Sequence, residues 1–218
     1  MMKPQSLPTP PHRKVDLLFP TPLWTFDGCG LDTKEITDFC YVIKDEGPGR
    51  KVSNIGDNAY QSLDFMPSIL PRTPLYALYN KIMECAYSAA DEWGFQGYKL
   101  DMGNLWININ GRAASNMVHT HPGCILSGVY YAKLPACCEG SLVLCDTYER
   151  QHMKQYWADK GNINKYDDLN KDEHVVFPKE DSMHIFPAWV PHYVDPNMNP
   201  DGDDRISISF NLRVRQFR

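Results

Sequence analysis

Two histidines stand close together in the segment HTHPG, where one residue separates His119 from His121. Alternate side chains of a β-strand project from the same face, so within a strand both imidazoles can bind one metal ion. The candidate for a third ligand is His192, which follows Trp189 and Pro191 at the end of an apolar run. Such a pair of histidines also occurs as ordinary hydrogen-bonding groups in protein cores. The three residues together predict a metal site whose chemistry depends on what lies beside them.

A carboxylate receptor is predicted thirteen positions after His192, where Arg205 and Ser207 share one face of a predicted strand. A guanidinium binds a carboxylate through two parallel hydrogen bonds and stays charged, and a hydroxyl can add another bond. Imidazole accepts iron, zinc, copper and nickel alike, so the histidines do not select the metal. A carboxylate receptor in the same pocket favours iron that takes a keto acid as a co-ligand.

The last strand, RISISFNLRV, alternates between an apolar and a polar face over residues 205–214. A strand on the protein surface shows the same alternation, but the polar face can also point into a pocket. The segment NLWINING has a comparable pattern. One of its faces carries Asn104, Trp106, Asn108 and Asn110. Amides and an indole on a single face suit a ligand pocket with a few placed polar groups, although large aromatics near a barrel rim more often serve packing.

The elements that must position these residues follow from periodicity. Helical spacing of apolar residues predicts helices over 32–44 and 73–93. Residues 15–24 contain Pro20 and Pro22, which favours an edge strand or an extended segment. Segments rich in β-branched and aromatic residues predict strands over 99–109, 124–133, 140–145, 182–188 and 205–214. The polar stretch 147–174 predicts a long insertion or lid, and the Pro-rich residues 1–14 predict a flexible arm.

Composition limits the class of protein. The chain has 218 residues, of which 43% are hydrophobic and 22% charged, which is typical of a folded globular protein. A net charge of −5 with scattered Lys and Arg makes nucleic acid an unlikely partner. No apolar run is long enough to span a membrane, and the N-terminus lacks the apolar stretch of a signal peptide. Seven Cys without metal-ligand spacing indicate free thiols, so we expect a cytoplasmic protein.

Together these residues resemble the 2-oxoglutarate/Fe(II)-dependent dioxygenases, and in particular a family of uncharacterised oxygenases common in marine phages and bacteria, within the prolyl-hydroxylase-like superfamily. The resemblance covers nearly the whole chain after the arm. The segments that carry it are LFPTPLW (18–24), SNIGDNAYQS (53–62), NLWININ (104–110), VHTHPGCILSGVYYAKLP (118–135), IFPAWVPHYVDP (185–196) and RISISFNLRV (205–214). It implies a mainly β fold with flanking helices: a cupin-like double-stranded β-helix, or jelly roll, formed by residues 15–218 as a single domain. The helical support would span 32–97 and the β core 98–218.

The resemblance also implies roles for individual residues. His119 resembles the first iron ligand and His192 the distal one, while Arg205 and Ser207 match the clamp on the distal carboxylate of 2-oxoglutarate. Tyr131 is implied as a second donor to that carboxylate. Two further residues are placed in the cofactor pocket, Ser127 beside Tyr131 and Asn108 on the amide face. Fe(II), 2-oxoglutarate and O2 are the implied cofactors, with hydroxylation of an unidentified substrate and release of succinate and CO2 as the implied reaction.

One position departs from the wider superfamily, because His121 stands where the pattern has Asp or Glu. His121 is the favoured third ligand; otherwise water or Asp146 completes the site, and Asn104, Asn108 or Asn116 could orient the imidazoles. The rival functions are a cupin-type or zinc enzyme that uses three histidines without a keto acid, and a non-catalytic jelly-roll binding module. The exposed edge near residues 18–24 could pair two copies in a homodimer.

Overall fold

A computed structural model describes residues 14–136, 140–147 and 167–217. Most of the predicted N-terminal arm and most of the predicted insertion over 147–174 lie outside these residues. Among the described residues, no helix combines the length and the hydropathy that crossing a bilayer requires.

Two α-helices form where apolar spacing predicts them. Helix α1 spans Thr33–Glu46, and the side chain of Asp32 caps it by accepting a hydrogen bond of 2.9 Å from the backbone N–H of Glu35. Helix α2 spans Leu75–Glu92 and follows a short 3-10 turn at Leu70–Arg72. Both predicted helices are therefore confirmed, with ends that differ from the predictions by one or two residues.

Six antiparallel strands form the larger sheet, in the order β1, β9, β6, β11, β4, β3. Their bounds are Trp24–Asp27 (β1), Ala59–Gln61 (β3), Tyr98–Asn110 (β4), Leu126–Lys133 (β6), Ser182–Pro187 (β9) and Arg205–Phe217 (β11). The long strands β4 and β11 pair along their whole length, and β11 also pairs with β6. The last strand of the chain therefore lies in the interior of the sheet, with a neighbour on each side.

Five shorter strands form the second sheet, in the order β2, β5, β10, β7, β8. Their bounds are Asn54–Ile55 (β2), Ser115–His119 (β5), Leu142–Cys145 (β7), Glu173–Val176 (β8) and His192–Val194 (β10). The two antiparallel sheets face each other, and this is the predicted double-stranded β-helix.

The alternation of β11 decides which side of the large sheet faces the site. Its apolar residues, Ile206, Ile208, Phe210 and Leu212, are fully buried in one core with the apolar faces of α1 and α2. Its polar residues lie on the opposite face, toward the second sheet. Most of them are also buried. The alternative of a surface strand is therefore wrong, because both faces of β11 are covered.

Several short elements differ from the predictions. For residues 15–24 the sequence predicts an edge strand or an extended segment. Strand β1 does lie at the edge of the larger sheet, but it begins only at Trp24, since Pro20 and Pro22 precede it without backbone N–H groups. Strand β8 begins within the last two residues of the predicted insertion, continues to Val176 and pairs with β7. His121 does not share a strand with His119, because β5 ends at His119 and the chain turns at Pro122 and Gly123, whose φ is +80°.

Candidate active site

The pairing register aligns polar side chains in rows across the inner face of the large sheet. In successive rows, Arg205 lies beside Asn110, Ser207 between Asn108 and Tyr131, Ser209 between Trp106 and Val129, and Asn211 between Asn104 and Ser127. Most of these residues line one cavity between the two sheets. The predicted polar faces of β4 and β11 therefore form a single floor.

Three imidazoles meet at one end of this floor. His119 ends β5 and His192 begins β10, and the two residues are Cα partners in the second sheet. His121 joins them from the turn that follows β5, and its backbone N–H donates a hydrogen bond of 3.0 Å to the carbonyl of Ala188. The ring centroids lie 4.4 Å apart for His119 and His192, 4.9 Å for His119 and His121, and 5.1 Å for His121 and His192. One nitrogen from each ring lies within 4.8 Å of the other two.

Hydrogen bonds and burial prepare these rings for coordination. Nδ1 of His119 lies 2.6 Å from the carbonyl of Met117, and Nδ1 of His192 lies 2.9 Å from that of Val190. A carbonyl only accepts, so each Nδ1 donates its proton and each Nε2 keeps a lone pair. Burial lowers the pKa of His192 to about 3 and that of His121 to about 4, with repulsion from His119 as a further cause. Neutral imidazole is the form that binds a metal ion, so the donor set fits a divalent transition metal.

The described residues place no carboxylate with these histidines. The group of possible metal-binding side chains found there consists of the three histidines alone. Asp146, one alternative for the missing acidic ligand, lines a neighbouring cavity together with Leu144 and Val190. The structure therefore favours His121 over Asp146 as the residue that completes the set.

A buried cation lies at the other end of the floor. Arg205 is 2% exposed, and its guanidinium donates to the carbonyl of Gly140. Burial lowers the pKa of Arg205, while Tyr131 and Asp195 act in the opposite direction. Among the described residues, no carboxylate lies within ion-pair distance of this guanidinium. A buried cation of this kind is suited to an anionic ligand.

The remaining predicted pocket residues occupy different parts of the cavity. Tyr131 is 2% exposed, and burial raises its pKa to about 12, so its hydroxyl remains a donor. Ser207 is its Cα partner near the buried guanidinium. Asn108 donates 3.0 Å to the hydroxyl of Ser209, and its own Oδ1 is buried without a hydrogen-bond partner among the described residues. Ser127 does not lie beside Tyr131, because three residues of β6 lie between them. Its hydroxyl donates to Oδ1 of Asn211, which lies next to His121.

The structure adds residues that the sequence did not single out for the site. Nδ2 of Asn211 lies 3.3 Å from Nδ1 of His121. The alternation of β11 predicts only that Asn211 belongs to the polar face. Trp106, for which the sequence left both a pocket and a packing role open, lines the cavity with its ring centroid 5.9 Å from that of His121. The guanidinium of Arg50 lies 6.0 Å from the same indole. Trp189 is half exposed and packs against Trp93.

Comparison with known proteins agrees with this geometry. Residues 104–211 match the model of a family described as "Putative 2OG-Fe(II) oxygenase". This segment contains the three imidazoles and every predicted residue of the carboxylate receptor. A comparison with curated protein sequences finds no match.

Solved structures share the fold at low sequence identity. A prolyl-4-hydroxylase from Pseudomonas putida is 16% identical over 90% of this chain and 94% of its own, with a TM-score of 0.59. The viral collagen prolyl hydroxylase from Paramecium bursaria Chlorella virus-1, in complex with 2OG, is 13% identical over 87% and 94%, with a TM-score of 0.55. A prolyl hydroxylase from Trichoplax adhaerens, in complex with a peptide fragment of hypoxia-inducible factor, is 15% identical over 88% and 83%, also at 0.55. These similarities establish a common architecture.

Proposed function

Because the chain belongs to the 2OG-Fe(II) oxygenase family and is therefore an oxidoreductase, we propose that it is an Fe(II) dioxygenase that consumes 2-oxoglutarate and O2. Residues 15–218 would form its single catalytic domain. The proposed reaction hydroxylates an organic substrate and releases succinate and CO2. The proposed iron ligands are His119, His121 and His192, and Arg205 would hold the distal carboxylate of 2-oxoglutarate.

The observation that carries this proposal is the position of Arg205. The side chain is buried, no described carboxylate pairs with it, and it lines the same cavity as the three imidazoles. Burying a charge without a partner is costly, so the residue is best explained by an anion that binds there. A zinc enzyme or a cupin-type dioxygenase that needs no keto acid would leave this guanidinium without a role. The geometry therefore favours the keto-acid mechanism over those two alternatives.

Three neighbours would complete the carboxylate receptor. Ser207 and Tyr131 are Cα partners on adjacent strands, so both hydroxyls are set by the backbone of the sheet. The raised pKa of Tyr131 keeps its hydroxyl protonated, and a protonated hydroxyl donates to a carboxylate. Asn108 lies on the other side of Ser207, and its amide would contribute a further polar contact in the proposed pocket.

The three imidazoles suit the charge of the proposed co-substrate. They are neutral, so they leave the charge of a divalent ion uncompensated. The carboxylate at the keto end of 2-oxoglutarate would supply one negative charge there, while the distal carboxylate would pair with Arg205. Iron and 2-oxoglutarate, when bound, supply the oxidative chemistry. The chain's contribution is to hold the two ends of the acid in one orientation and to keep water away through the buried floor. Neighbours of the same fold support this reading, since the Chlorella virus enzyme was crystallised as a 2OG complex.

The test is an anaerobic titration of the metal-free protein with Fe(II) and then with 2-oxoglutarate. We expect a visible metal-to-ligand charge-transfer band in the wild-type protein. The band should disappear in His192→Ala, and Arg205→Ala should raise the 2-oxoglutarate concentration needed to reach it. Two matched controls lie outside the cavity. His174→Ala removes a histidine that bonds Lys171, and Arg213→Ala removes an exposed arginine from β11.

Each result bears on a different part of the proposal. A wild-type band that both controls retain supports the iron and keto-acid site. Bound metal without any charge-transfer band would exclude 2-oxoglutarate as a co-substrate and would favour the zinc enzyme or the cupin-type dioxygenase. An unchanged titration in Arg205→Ala would show that the buried guanidinium does not hold the acid. Succinate formation, measured with candidate substrates, then separates an enzyme from a binding module.

A further inference from the structure

One side chain connects the floor of the cavity to the third imidazole. Asn211 is 4% exposed on β11, and its Oδ1 accepts a hydrogen bond of 2.7 Å from the hydroxyl of Ser127. Its Nδ2 lies 3.3 Å from Nδ1 of His121. The three residues therefore form a chain of hydrogen bonds from β6 through β11 to the turn after β5.

The proton on His121 is not fixed in the way that it is in the other two rings. Backbone carbonyls oblige His119 and His192 to carry their protons on Nδ1, which frees Nε2 for a metal ion. An amide offers both a donor and an acceptor, so the partner of His121 can impose either tautomer. With Nδ2 facing the ring, Nδ1 must accept and the proton sits on Nε2. A ring in that tautomer cannot coordinate through Nε2.

Turning the Asn211 amide about its terminal bond reverses this assignment. Oδ1 and Nδ2 exchange places with almost no change of shape, so the surrounding packing is unaffected. Oδ1 then accepts the Nδ1 proton of His121, and Nδ2 donates to the oxygen of Ser127. The Ser127 hydroxyl tolerates both arrangements because a hydroxyl is both donor and acceptor. In the turned orientation all three rings present an Nε2 lone pair.

We infer that Asn211 is the positioning residue that makes His121 a metal ligand, by accepting its Nδ1 proton in the turned orientation. The inference rests on the proposed metal site. A carboxylate at position 121 would need no such partner, because a carboxylate has no tautomers to choose between. A histidine at position 121 therefore depends on the Asn211 amide in order to bind a metal ion through Nε2. Ser127, predicted as a cofactor contact, forms a hydrogen bond with this amide.

The test uses Zn(II) alone, without 2-oxoglutarate, on the metal-free full-length protein. Zinc affinity is measured by competition with a chelator, and long-range ¹H–¹⁵N spectra of histidine-labelled protein report which ring nitrogen carries a proton. Asn211→Ala should weaken zinc binding about 10- to 100-fold, as losing the partner of a ligating histidine does. Asn211→Asp should bind zinc close to the wild-type affinity, because its carboxylate also accepts the Nδ1 proton. The matched control is Asn104→Ala, in the same cross-strand row, whose side chain bonds Asp64.

The spectra carry information that a purely structural role would not produce. In zinc-bound wild-type protein, His121 should show a proton on Nδ1 and none on Nε2. Wild-type zinc affinity in Asn211→Ala, or a proton on Nε2 in the zinc-bound protein, would overturn the inference. If Asn211→Ala does not fold, weak zinc binding by Asn211→Asp overturns it equally. Zinc binding that survives both His119→Ala and His192→Ala would instead show that the proposed site itself is wrong.

Discussion

Replacing Arg205 by methionine should make the ligand-free protein more stable and the ligand-bound protein less stable than wild type. Methionine fills much of the volume of the arginine stem without a charge. The guanidinium is 2% exposed and has no described carboxylate partner, so folding must remove it from water without a compensating ion pair. The substitution removes that cost.

The magnitude follows from two opposing terms. Desolvating one buried charge costs several kcal/mol, here about 4 kcal/mol. The hydrogen bond from the guanidinium to the carbonyl of Gly140 returns about 1.5–3 kcal/mol, as is usual for a charged donor. The difference predicts that Arg205→Met raises the free energy of unfolding by about 1–2.5 kcal/mol. For a chain of this size, that corresponds to a rise in Tm of about 2–10 °C.

Bound co-substrate should reverse the order of the two proteins. At a ligand concentration 100 times its Kd, binding adds about 2.7 kcal/mol to the stability of the wild-type protein. The variant should gain little at the same concentration, because the proposed anchor for the distal carboxylate is gone. Wild type would then be the more stable protein by about 0.2–1.7 kcal/mol.

Urea denaturation followed by circular dichroism measures both effects, first on the metal-free protein and then anaerobically with Fe(II) and 2-oxoglutarate. Arg213→Met, at an exposed position of the same strand, is the matched control and should change neither quantity. A ligand-free Arg205→Met protein that is less stable than wild type by more than about 1 kcal/mol would refute the reasoning. It would mean that the fold already compensates this charge.

Three further predictions concern backbone and core positions. Gly140 has a φ of +96°, and a methyl group there would lie against the guanidinium of Arg205. Gly140→Ala should therefore raise the Kd for 2-oxoglutarate at least about tenfold. The control is Gly202→Ala, at a φ of +76° with open space around it, which should leave the Kd unchanged in the same titration. Gly128→Ala should lower the free energy of unfolding in urea by about 3 kcal/mol, since its Cβ would lie 2.7 Å from the carbonyl oxygen of His184 and against the ring of Phe210; a stable variant would contradict this packing. Burial lowers the pKa of His184 to about 4, so below pH 6.5 the unfolded chain binds a proton that the folded chain does not. The free energy of unfolding therefore decreases as the pH is lowered. His184→Leu should reduce the loss of stability between pH 7 and pH 5 by about 2 kcal/mol, and an equal loss in both proteins would count against it.

The long elements could be predicted because their signals are local. Apolar residues at helical spacing set α1 and α2, and strict alternation set β4 and β11 within a few residues. The same alternation indicated that Arg205 and Ser207 share a face, and this is what the rows of the large sheet show. A pattern that repeats within one segment therefore carried over to the structure.

The closing of the site could not be read from local patterns. The three histidines meet because β5 pairs with β10, two strands of five and three residues that are far apart in the chain. Strands this short give little periodic signal, and pairing at a distance leaves none. Asn211 escaped notice for a related reason: its partners lie on β6 and in the turn after β5, so only the folded register brings them within hydrogen-bond distance.

If 2-oxoglutarate binds as proposed, the central place of β11 has a consequence for the length of the acid that the site would hold. The strand carries the proposed carboxylate receptor at its first residues, Arg205 and Ser207, and the partner of the third imidazole, Asn211, at its midpoint. Hydrogen bonds from β4 and β6 hold it on both edges. The strand therefore fixes the distance between these two groups, since it rises about 3.3 Å per residue. A diacid one carbon shorter or longer than 2-oxoglutarate would contact either the carboxylate receptor or the metal site, but not both. Side-chain substitutions on β11 would change the affinity for an acid. Changing the length of the acid that fits would require adding or removing residues of β11. A single inserted residue would turn the polar face of the strand away from the cavity.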